Sequence, residues 1–201
     1  MFKSYSATHT IAMNTPNIII PKQKGIGICH ISHFVRERFG EQKWQTVLSN
    51  LSNVDAREVS ASIAIAWHDL GLFARLLHSV VDTCSPGDLS ILSEIGAYEA
   101  DQDLGVFIKF IIKTLSPISV VRSATKIWNR IQNTGEWEIN TGHNMLTGML
   151  KNWGVIDRYL CLELMGYLKR LIEYTGVTNV KVKHTRCRAD GYNACHFDAE
   201  W

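Results

Sequence analysis

Near its end the chain reads HTRCRADGYNACHF, from His184 to Phe197. Cys187 and Cys195 flank Gly191. If two alternating strands turn about that glycine, residues whose numbers sum to 382 face each other, and the two thiols oppose with Cβ atoms about 4.5–5.5 Å apart. Three chemistries follow from such proximity: a disulfide, a metal site, or a pair of inert buried thiols. A reducing compartment disfavours the first. The nearest further donors are His184, His196 and, on a preceding helical segment, Cys161. Tetrahedral zinc takes four thiolate or imidazole donors, and Cys161, His184, Cys187 and Cys195 give the spacing C-x22-H-x2-C-x7-C. That is not a zinc-finger spacing, so the bare pattern leaves the alternatives open. On a regular strand residues 184 and 187 point to opposite faces, and their convergence requires a bulge or strand end near Arg186.

Other donors are less well grouped. Cys29, His30 and His33 open a helix, where only two or three donors converge, and capping or surface roles are expected of them. His68 and His78 lie beside Trp67 and Leu77 in helical segments and read as structural. The GIGI run is followed by no phosphate-loop lysine. No nucleophile, base and orienter can be assembled from spacing, so no catalytic residue is assigned and an enzyme is not expected. The aromatic residues Trp67, Phe73, Phe107, Phe110 and Trp128 fall on apolar stripes, where core packing is the expected role.

The elements that position these residues follow from periodicity. GICHISHFVRERFG and EQKWQTVLSNL carry apolar residues at helical spacing, as do DLGLFARLLHSVVDTC and SPGDLSILSEIGAYEADQDLG. A helix opens at Ser116-Pro117 and is stopped by Gly135. EWEIN and MLTGML then alternate about TGHN, a hairpin signal. DRYLCLELMGYLKRLIEYTG is the last helix, ended by Gly176, and the cysteine-bearing hairpin follows. Helices first and hairpins late make an α+β fold, a helical N-terminal half packed on a small antiparallel sheet. Residues 1–23 read as a flexible N-terminal arm and 24–201 as one domain, although NIII after Pro16 could add an edge strand.

With 201 residues, 46% of them apolar, one substantial core is expected. A net charge of +2 with scattered Lys and Arg offers no basic run for nucleic acid. The apolar runs fall short of the roughly 20 residues that span a bilayer. Five cysteines and no leader-like h-region point to thiols in the cytoplasm.

The run CLELMGYLKRLIEYTG with VKHTRCRADGYNACHF and a terminal Trp resembles the C-terminal half of the 4-vinyl reductase domain, with its similar C-x4-G-Y and E-x2-C-x3-G-x3-C patterns. KGIGICHISHFVRERFG, GDLSILSEIGAYEADQDL and IWNRIQNTGEWEI are similar to a paralogous group of myxobacterial proteins of that superfamily, whose distant relatives include haem-based nitric-oxide sensors and vesicle-tethering subunits. The resemblance implies a structural zinc on Cys161, Cys187 and Cys195, with His184 in the place of the family's glutamate. It also implies a non-catalytic sensory module for a small hydrophobic or aromatic ligand. A protein-interaction module or a reductase-related enzyme are the alternatives. The haem sensors carry a Tyr-x-Ser-x-Arg triplet that is missing here, so haem is not expected. Related sensors pair, and a homodimer across the N-terminal arm is expected.

Overall fold

The computed structural model describes residues 19–201. Strand β1 (Lys22–Lys24) leads into α1 (Ile26–Phe39), α2 (Glu41–Ser49) and α3 (Asn53–Ser60); β2 (Trp67–Asp69) then feeds α4 (Leu70–Cys84) and α5 (Ser90–Asp103). After α6 (Val106–Ile112) and α7 (Pro117–Ile127) come the hairpin β3 (Glu136–Gly142) and β4 (Met145–Lys151), helix α8 (Arg158–Glu173), and the hairpin β5 (Lys181–Arg186) and β6 (Cys195–Glu200). The four late strands form one antiparallel sheet in the order β3-β4-β6-β5, and β1 pairs with β2 apart from it. This is the expected α+β arrangement.

Local chemistry sets the helix limits. Asp69 caps α4 by accepting from the Gly71 N–H, Ser116 caps α7 by accepting from Ser119, and Asp157 caps α8 by accepting from Tyr159. Helix α5 begins at Ser90 rather than within the Ser-Pro-Gly run, because Gly87 takes φ 81° and the Asp88 carboxylate accepts from the Ser90 N–H. Helix α7 ends at Ile127, eight residues short of Gly135, and a 3-10 turn over Trp128–Arg130 redirects the chain. That turn swings Trp128 into the wall of a cavity. The expected strand from NIII does not form at Ile19 or Ile20, which stand exposed; the pairing starts at Lys22, so the last residues assigned to an arm stand in β1, with Gln23 buried against Gln132. The rest of that arm lies outside the described residues.

A single main core joins Ile31, Val35, Leu72, Leu76, Leu92 and Ile95 of the helices to Leu150 and Phe197 of the sheet. Its tightest seam is α5 against α8. A Cβ on Gly96 would overlap the Glu163 carbonyl oxygen, and one on Gly166 would overlap that of Ser93, so the two backbones touch through paired glycines. Among the described residues no helix is long and apolar enough to cross a membrane.

Candidate functional site

The last hairpin folds as the cysteine spacing requires. Gly191 takes φ 88°, and Arg186 faces His196, but His184 faces Phe197, so the register slips between 184 and 186. This bulge turns His184 to the side on which Cys187 and Cys195 stand. Helix α8 brings Cys161 to the same point, and one donor atom from each of Cys161, His184, Cys187 and Cys195 lies within 4.8 Å of every other. The three cysteines are buried and unbridged. His196 is one residue from Cys195 on β6 and so projects from the opposite face.

The cluster favours the charged form at one of its sulfurs, Cys195, and the neutral form at the other two. The Ala189 N–H points at Cys187 Sγ (3.4 Å) and the Arg188 N–H at Cys195 Sγ (3.5 Å). The Cys161 thiol sits 3.3 Å from Cys195 Sγ, and its hydrogen bond pulls the Cys195 thiol down to about 4. The same contact, with burial, pushes Cys161 far up, and burial raises Cys187. His184 stacks on Phe197 with ring centroids 5.1 Å apart, and its Nε2 is buried with no hydrogen-bond partner. Three sulfurs and an imidazole nitrogen in this arrangement can ligate a metal ion that favours soft donors.

A second site escaped the sequence. A cavity of ≈ 110 Å³ lies where α1, α5 and α8 meet the start of the sheet. Trp128, Trp137 and Trp153 form one wall, with Trp128 edge-on to each of the others at 5.6 Å. The lining also carries Glu99 and Glu163, both buried. Burial, then the charge of Glu163, drives the Glu99 carboxyl well above the carboxylate range, and burial lifts Glu163 to about 7. Nearby, Asp103 accepts from the Tyr167 hydroxyl (2.9 Å) and lies 3.7 Å from His30 Nδ1. Burial raises Asp103 and lowers His30. A glutamate on the apolar face of each helix was the available signal, but only the crossing at Gly96 and Gly166 brings the two together.

The other candidates scatter. His30 is buried in the cavity wall rather than at the surface, Cys29 lies by the Ser62 carbonyl at 3.8 Å, and His33 is exposed. His78 stacks on Tyr159 and hydrogen-bonds Asp157. His68 lies between Ser62 Oγ (3.0 Å) and Glu58 Oε1 (2.9 Å), the order of a nucleophile, base and orienter that spacing had not assembled. The Glu58 side chain is 41% exposed. A carboxylate so open to water holds an imidazole loosely, and the relay reads as a fastening of the 61–66 loop to β2. Of the aromatics expected in the core, Phe73 and Trp128 pack inward, whereas Trp67 lies under the Lys24 ammonium on the surface and Phe110 is exposed. The side chain of residue 107 is outside the described set.

No sequence-family model matches the chain, and no curated protein matches it in sequence. Solved structures do match in fold. An H-NOX protein of S. oneidensis in its Fe(II)NO state superposes with a TM-score of 0.67 at 14% identity, over 88% of this chain and 98% of that one. An unliganded Fe(II) H-NOX protein of K. algicida gives 0.66 at 13%, over 88% and 95%. A third structure, described by haem redox potential and porphyrin distortion, gives 0.62 at 10%, over 89% and 99%. Identities this low establish a shared fold alone.

These matches correct two expectations. The fold neighbours are H-NOX proteins and not 4-vinyl reductase domains, so that assignment is withdrawn. The cofactor expectation, zinc with haem set aside, falls with it, because the proteins of this fold are described by the states of a haem iron. Whether this chain's residues suit a haem is a separate matter of geometry. One histidine, His30, lines the cavity, and it leans on Asp103. A cavity of about 150 Å³ accommodates a single benzene ring; ≈ 110 Å³ bounded by two buried carboxyls does not receive a four-pyrrole macrocycle. The walls as folded do not fit the group.

Proposed function

We propose that this chain is a small-molecule-binding sensory domain, with the cavity beneath the tryptophan cluster as its binding site. The observation that carries this reading is the cavity itself: an aromatic pocket with polar groups at one end, at the junction of the helices and the sheet. The fold supports it, since neighbours of the same fold are described in NO-ligated and unliganded states. Binding there reaches both halves of the molecule at once, because α1, α5 and α8 form one side and Trp137 of β3 the other. A ligand that fits one relative placement of those elements better than another shifts their equilibrium by that difference in affinity. The cluster of Cys161, His184, Cys187 and Cys195 serves this design as a proposed structural metal site, clamping α8 to the final hairpin; four protein donors leave no position for substrate.

Titration with a panel of single-ring fragments, read on the indole N–H signals of Trp128 and Trp153, tests the proposal. Saturable shifts at millimolar fragment are expected in the native protein, and their loss in Ala124→Leu, which fills the cavity. No saturable shift from any fragment would sink the reading.

A further inference from the structure

The cavity walls leave one of their own groups unsatisfied. Glu99 Oε1 is fully enclosed and has no hydrogen-bond partner. Among the described residues no Lys, Arg or His forms an ion pair with Glu99 or Glu163; the pairs nearest in the fold are His30 with Asp103 and Arg170 with Asp101. The charged and titratable groups that face the two carboxyls are Lys24 from β1, His30 from α1, Asp103 from α5 and Tyr167 from α8. Lys24 is committed elsewhere, its ammonium donating to the Ile65 carbonyl (2.7 Å) and lying over the Trp67 ring. His30 and Tyr167 both engage Asp103. The carboxyl end of the cavity therefore lacks a cation, and beyond the proton that the two carboxyls share, nothing donates to Glu99 Oε1. A buried acceptor left unpaired is costly, and more so when charged.

We propose that the cavity binds a small organic amine in its protonated form, its ammonium donating to Glu99 Oε1 and to Glu163 and its body lying against the tryptophan wall. This deepens the sensory reading and rests on it. Two independent attractions meet in such a ligand: charge-assisted hydrogen bonds to carboxylate, and the pull of an indole face on a cation within about 6 Å. Volume sets the size. A space smaller than the roughly 150 Å³ that admits benzene admits about five non-hydrogen atoms. The binding step is an exchange of cations. Without ligand the two carboxyls keep a proton between them; the entering ammonium supplies their positive charge, and that proton leaves to solvent. No covalent bond changes. Affinity therefore rises with pH through neutrality.

A rival demand exists in the same cavity. Trp137 Nε1 is also buried without a partner, and it calls for an acceptor instead. Pyrrolidine and tetrahydrofuran separate the two, having rings of one size, the first a protonated donor throughout the range and the second an acceptor only. Each is titrated into the full chain and followed on the indole signals. Pyrrolidine is expected to bind at least roughly tenfold more tightly than tetrahydrofuran, and more tightly near pH 8 than near pH 6. Glu99→Gln should weaken pyrrolidine by about tenfold and leave tetrahydrofuran unchanged. Should Glu99→Gln fail to fold, Glu163→Gln and the pH dependence of the native protein decide the matter. Tetrahydrofuran binding as well as pyrrolidine, or pyrrolidine affinity that is flat in pH, overturns the amine while the sensory reading stands. Silence from both probes and from the whole fragment panel overturns both.

Discussion

The two glutamates that face the cavity make a stability signature of their own. Burial holds Glu163 at about 7 against 4.5 for an ordinary glutamate. Below about pH 4.5 both folded and unfolded chains carry the proton, and the group leaves stability untouched. Between that point and about pH 7 the unfolded chain releases a proton that the folded one keeps, so stability falls as pH rises and levels off above. Glu99 shifts in the same direction. The Glu163 contribution is on the order of 3 kcal/mol across this window. Urea midpoints between about pH 5 and about pH 8 should decline in the native protein and decline less in Glu163→Gln, by the Glu163 share, while the Glu99 share remains. Equal slopes in the two proteins would show that burial does not hold the Glu163 proton in the folded chain.

Helices α5 and α8 owe their contact to glycine. Gly96 and Gly166 each receive the backbone of the other helix, and the crossing sets Glu99 one turn beyond Gly96 beside Glu163, one turn before Gly166. Gly166→Ala places a methyl where the Ser93 carbonyl stands, so the helices must part. A loss of at least about 2 kcal/mol in equilibrium unfolding is expected, and a loss of cavity binding with it. The second join is the cysteine cluster between α8 and the final hairpin. With a metal ion bound, elemental analysis should find about one soft-donor metal per chain. Cys187→Ala should then speed amide exchange in β5 and β6 while α1 and α2 keep their protection, since only the hairpin loses its anchor. Protein that carries no metal and exchanges at the same rate in native and variant forms would leave the cluster as three buried thiols beside an imidazole.

At the scale of the molecule, the cavity sits at the junction of the helices and the sheet, and its lining draws on residues from Gln23 to Leu168. Such a seam is where ligand binding can change the placement of one half against the other. Any change has to be read at the surface. Ile19 and Ile20 stand 64% and 59% exposed beside β1, and the outer side of α6 adds Ile108, Phe110 and Ile111. Apolar side chains in that number are available to a second copy, and we propose that two copies pair through them about a two-fold axis. Light scattering at micromolar concentration should give twice the chain mass, falling toward the single mass in Ile19→Asp with Ile20→Asp. A single chain mass in the unaltered protein would end the proposal.

Periodicity and chain order alone determined the α+β class, the two late hairpins and the helices that open at Leu70 and Pro117, because each depends on neighbours in sequence: apolar spacing, a capping side chain, a turn residue. The meeting of Cys187 with Cys195 was legible for the same reason, since a hairpin about Gly191 fixes which residues oppose, and the need for a bulge near Arg186 followed from strand geometry. Short elements were not legible. Helix α3 has eight residues and β1 and β2 three each, too few for a period to declare itself, and they form because tertiary partners hold them. The cavity belonged to tertiary structure alone. Glu99 and Glu163 stand 64 positions apart on two helices that each carry more than one acidic residue. Nothing local tells a carboxylate turned to water from one turned to its twin inside a cavity; the packing of one helix against another makes that choice, and the chemistry proposed for this protein follows from it.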